Sequence, residues 1–100
     1  MTIATANISI FGQISVRIIR QQEMVIGPIA WSEAQKVSGL KVLNQNAGEV
    51  SIEGDPKEIL GRLVAQYSKL FGQVSTEVCK EAAADLIVEL PADQVPPSLK

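Results

Sequence analysis

The run Ile8-Ser9-Ile10-Phe11-Gly12-Gln13-Ile14-Ser15-Val16-Arg17-Ile18 decides how the chain is read. Its even positions carry Ile8, Ile10, Ile14, Val16 and Ile18 around Gly12, and its odd positions are mainly polar. Alternation at period two with β-branched residues predicts strand with one buried face. Gly12 leaves two forms open. A three-residue loop, Phe11-Gly12-Gln13, pairs Ile10 with Ile14 and Ile8 with Val16; one long strand kinked at Gly12 also keeps the apolar residues together. Residues 7–16 hold no proline or lysine cluster, so this strand offers an open edge for pairing with a second copy.

Working outward, Met24-Val25-Ile26 continues the apolar character until Gly27-Pro28 breaks it. Proline suits the first turn of a helix, where its missing N–H costs nothing. Residues Pro28 to Ser38 then read as a short helix with Ala30, Ala34 and Val37 in register, closed by Gly39. Leu40 to Leu43 and Val50 to Ile52 are β-like runs joined by turn formers, which predicts a hairpin. Asp55 is a good N-cap, Pro56 fits the first helical position, and Glu58 completes a capping-box pattern. The helix over 55–71 places Ile59, Leu60, Leu63, Val64, Tyr67, Leu70 and Phe71 in one arc. A further helix runs from about Ser75 to Ile87, and residues 86–90 also read as a terminal strand. Pro91, Pro96 and Pro97 mark 91–100 as an exposed, disordered tail.

The elements fall in an order near ββ-α-ββ-αα. That order predicts an α+β fold over residues 1–90, a mainly antiparallel sheet with one face covered by a short helix and a C-terminal helix pair. Apolar residues make up 46% of the 100 and charged residues 20%, an ordinary globular balance that argues against wholesale disorder.

Several function classes drop out on composition. The sequence has no histidine, which removes Ser-His-Asp and Cys-His catalysis and imidazole zinc sites. Its net charge of −2 gives no electrostatic driver for nucleic acid. The charge is uneven: residues 1–48 carry four basic and two acidic side chains, residues 49–100 five and nine. Cys79 is alone, so no internal disulfide forms, which fits a reducing compartment. The first residues lack a signal-peptide pattern, and no apolar run approaches the roughly 20 residues of a membrane span. A cytoplasmic location, with no membrane partner, is the expectation.

No Gly-x-Gly-x-x-Gly, Walker loop, Cys-x-x-Cys or Gly-x-Ser-x-Gly occurs. Glu49, Glu53 and Asp55 form the densest carboxylate group, but capping already accounts for Asp55. Cys79 falls mid-arc on an apolar helix face, where packing and a raised pKa are expected instead of reactivity. Arg17 and Arg20 lack the aromatic interleaving of a nucleic-acid surface. Phe11, Ile29, Trp31 and Val88 are apolar positions that the amphipathic patterns leave unburied, and lone aromatics often anchor interfaces. The expectation is a non-enzymatic interaction or regulatory module without cofactor or metal, acting on a protein partner or as a homodimer. The alternative is a small-molecule domain with a pocket between helix 55–71 and the sheet, lined by Leu63 and Tyr67.

Overall fold

In the computed structural model of the chain, which describes residues 10–100, the run Ile10–Ile26 is a seventeen-residue helix, α1, and not a strand. The strand reading of residues 7–9 lies outside the described residues. The physical reason for the correction lies in spacing. Ile10, Ile14 and Ile18 are four apart, so they satisfy the helical period as well as the period of two. Beyond Ile18 the alternation fails while helical spacing continues through Ile19 and Gln22. The buried stripe is Ile14, Ser15, Ile18, Ile19 and Gln22. Ser15, read as solvent-facing, is inside, and its Oγ donates to the Phe11 carbonyl at 2.9 Å. The backbone of residues 10–16 is committed to this helix, so the open strand edge expected there does not exist over those residues.

Gly27-Pro28 turns the chain into α2 (Ile29–Ala34), six residues instead of the eleven expected over 28–38. Ala30, Ala34 and Val37 are buried as their register predicts. Gly39 follows at φ +92°, and a Cβ there would come within 2.8 Å of the Glu53 carbonyl oxygen. Only glycine meets both demands. Strands β1 (Leu40–Asn44) and β2 (Glu49–Ile52) form the antiparallel hairpin, pairing Leu40 with Ile52 and Val42 with Val50.

Helix α3 (Pro56–Phe71) begins at Asp55, whose side chain accepts from the Lys57 N–H at 3.1 Å. Glu58 does not complete the box; its carboxylate pairs with Arg62 one turn on, at 3.0 Å. Gly72 bends the chain into α4 (Gln73–Ile87). Residues 86–90 therefore finish a helix and turn, and are not a strand. Beyond Pro91, Ala92–Gln94 and Pro97–Leu99 form single 3₁₀ turns. Val95, Pro96 and Leu99 are buried against α3 and α4, so residues 91–100 close the core and do not form the expected exposed tail.

The architecture is mixed helix and strand, as predicted, but the balance differs. Among the described residues four helices build the core, which centres on Ile14, Ile18, Trp31, Leu60, Leu63 and Tyr67. The sheet among the described residues is the two-stranded hairpin, with β2 lying against α1. It is a flank of a helical body and not a platform on which the helices sit. Among the described residues, no helix is long and apolar enough to cross a membrane.

Candidate functional site

The six residues singled out by the sequence do not converge. Trp31 is 1% exposed and belongs to the core, and Phe11 is half-buried against it. Ile29 and Val88 are exposed, at 45% and 80%. Ile29 opens α2, whereas Val88 follows the last turn of α4. Leu63 and Tyr67 are fully buried and line no open pocket. The Tyr67 hydroxyl donates to the Ala30 carbonyl at 2.6 Å, tying α3 to α2.

The buried polar groups have structural work. Gln22 Nε2 donates to the Ser75 carbonyl at 3.1 Å and lies 3.4 Å from Cys79 Sγ, joining α1 to α4. Glu33 accepts from Gln66 at 2.7 Å and from Lys36 at 3.0 Å, and these bonds, Gln66 first, hold its carboxyl below the usual range. Burial pushes the Cys79 thiol up to about 11, against a smaller opposing pull from Gln22. The Tyr67 phenol is pushed up as well, by burial and then by the negative charge of Cys79 and Glu33 when ionised. Neither group is primed for nucleophilic chemistry at neutral pH.

These shifts fix a pH dependence. Unfolded Cys79 ionises first, so the stability due to its raised pKa is present at lower pH and is lost as pH climbs from 9.0 to about 11. Thermal melts across that window are expected to show a loss of about 3 kcal/mol from this group, reduced in Cys79→Ala. Tyr67 adds to the loss in the same direction. A melting temperature flat from pH 8 to 11 contradicts this.

Two surface features remain. The first is an open groove of about 670 Å³ between α1 and the hairpin, walled by Val16, Arg17, Arg20, Leu43, Val50 and Leu86. Arg17 is paired with Asp85 of α4 at 2.7 Å. Arg20 lies over the Trp31 ring, 5.7 Å from its centroid, and reaches the Asn46 carbonyl at 3.4 Å. Gly48 makes this possible: a Cβ there would stand 2.6 Å from Arg20 Nη2. The sequence did place Arg17 and Arg20 in one segment. Their spacing of three, read as helical, puts them on one side of α1.

The second feature is the end of the body where α1 turns into α2 and α3 into α4. The Gln22–Ser75 and Tyr67–Ala30 hydrogen bonds hold these two junctions together. Six of the exposed large apolar side chains flank them: Met24, Val25, Ile29, Leu70, Phe71 and Val74. The sequence carries no charge from Met24 to Trp31 or from Leu70 to Thr76. Leu70 and Phe71, assigned to the buried arc of their helix, are among the exposed residues. They lie past Tyr67, where α3 runs beyond the core.

Among the described residues, no group of three or more acidic or cysteine side chains is placed to hold a metal ion. Comparison with family models, curated proteins and solved structures gives no match for the chain.

Proposed function

We propose that the chain is a protein-interaction module that self-associates through this apolar end. The observation that supports the reading is the concentration of exposed apolar side chains at one pair of junctions, with Met24 80% and Val74 70% exposed. Scattered single apolar residues need no explanation, but a grouped set rimmed by polar surface marks a contact. The six side chains together expose on the order of 600 Å², the top of the range for the largest apolar patch on a typical monomer, which is often functional. Two copies related by a two-fold axis would remove about 1,200 Å², the lower bound for a specific interface. The absence of charge in both runs fits the centre of an interface, where charged residues are depleted. Glu23 and Lys69, of opposite sign, flank the two runs.

A contact at the lower bound of specific interfaces belongs with weak, transient associations, and the expected dissociation constant is on the order of micromolar. Sedimentation equilibrium at about 100 μM protein is then expected to give twice the chain mass of 10.7 kDa. A mass of one chain at roughly 1 mM overturns self-association.

A further inference from the structure

We propose that the groove between α1 and the hairpin binds a small apolar molecule carrying one negative group, a monocarboxylate, with Arg20 receiving the charge. This is independent of the apolar end and of self-association. At about 670 Å³ the groove falls within the range of small-molecule sites. Val16, Leu43, Val50 and Leu86 supply apolar walls from four different elements, α1, β1, β2 and α4, which is the lining such ligands require.

The charges in the groove select the ligand. Arg17 is offset by Asp85 at 2.7 Å. No carboxylate lies within ion-pair distance of Arg20 among the described residues. Its guanidinium lies over the Trp31 ring and makes one long bond, to a backbone carbonyl. A guanidinium with one long bond retains donors in the fork geometry that suits a carboxylate. Glu49 lines the same groove and disfavours a second negative group by like-charge repulsion. One anion on an apolar body satisfies all of these terms. A polyphosphate or a neutral hydrocarbon does not.

Trp31 is the sole tryptophan and lies under Arg20, so it reports on the site. Decanoate titrated into the full chain is expected to change Trp31 emission saturably, and calorimetry to give one site per chain. Arg20→Gln is expected to weaken binding at least tenfold through loss of the charge-assisted bonds. Leu43→Glu, on the exposed face of β1, is expected to do the same by adding a like charge, with the fold intact by circular dichroism. Decan-1-ol, which matches the chain without the charge, is expected to bind at least tenfold more weakly. Absence of a saturable response, equal affinity in Arg20→Gln and Leu43→Glu, or equal affinity for the alcohol overturns the proposal.

Discussion

Trp31→Ala is expected to lower stability by about 3–5 kcal/mol, the usual cost of truncating a fully buried tryptophan. Against a total stability of roughly 5–15 kcal/mol for a domain, that is enough to unfold much of the population. Trp31 is 1% exposed and sits in a helix of six residues with neighbours on several sides: α1, β1 and α3 all touch α2. No single stripe describes the buried surface of so short and enclosed a helix. The truncation also removes the face on which the Arg20 guanidinium rests. Urea denaturation followed by circular dichroism measures the effect without needing the lost fluorophore. Val88→Ala, at a site 80% exposed, is the matched control and is expected to stay within about 0.5 kcal/mol. A loss below 1 kcal/mol for Trp31→Ala would show that its ring is not part of the core.

Ending the chain at Leu90 is the second large effect. Val95, Pro96 and Leu99 are buried against α3 and α4, and Pro96 Cβ comes 3.9 Å from where a Cβ on Gly61 would stand. Burial of one such side chain contributes about 1.5–3 kcal/mol, an upper figure because the unfolded chain is itself partly compact. Exposing the apolar surface that these residues cover is expected to cost about 3 kcal/mol, on the order of one or two such burials. In a domain of this size that corresponds to a fall of roughly 12–24 °C in melting temperature. Calorimetry of the shortened chain checks it. A melting temperature within about 2 °C of the full chain would contradict the packing of this segment.

The parts of the fold legible in the sequence are those where local chemistry and pattern agree. Asp55-Pro56 starts α3 and the Ile59-to-Tyr67 arc fixes its buried face. The turn formers between Leu43 and Val50 mark the hairpin. The first helix was hidden because isoleucines four apart serve two periods at once, and because β-branched residues carry a strand bias that tertiary packing against α4 overrides. Prolines 91, 96 and 97 suggest an unstructured tail when read by composition. Here they punctuate short turns that aim Val95 and Leu99 inward. The groove was not legible for a related reason: with residues 8–18 read as strand, Arg17 and Arg20 are weighed only as a weak nucleic-acid surface, and the helical spacing that puts them on one side of α1 goes unused. The two uncharged runs, 24–31 and 70–76, were visible, but nothing in a linear pattern brings them together. The Gln22–Ser75 and Tyr67–Ala30 bonds do that in the folded chain.

Self-association through the apolar end is the central claim, and a matched pair of charge substitutions tests it most directly. Val74→Glu places a carboxylate within the patch, and Leu43→Glu places one on the hairpin, outside the two junctions. Both side chains are exposed, at 70% and 63%, so neither change disturbs the core. In sedimentation equilibrium over a dilution series, Val74→Glu is expected to weaken self-association at least 100-fold, because an unpaired charge at an interface costs several kcal/mol. Leu43→Glu is expected to leave it unchanged. Equal dissociation constants for Val74→Glu and the unsubstituted chain, or a loss confined to Leu43→Glu, would place the contact elsewhere and contradict the account.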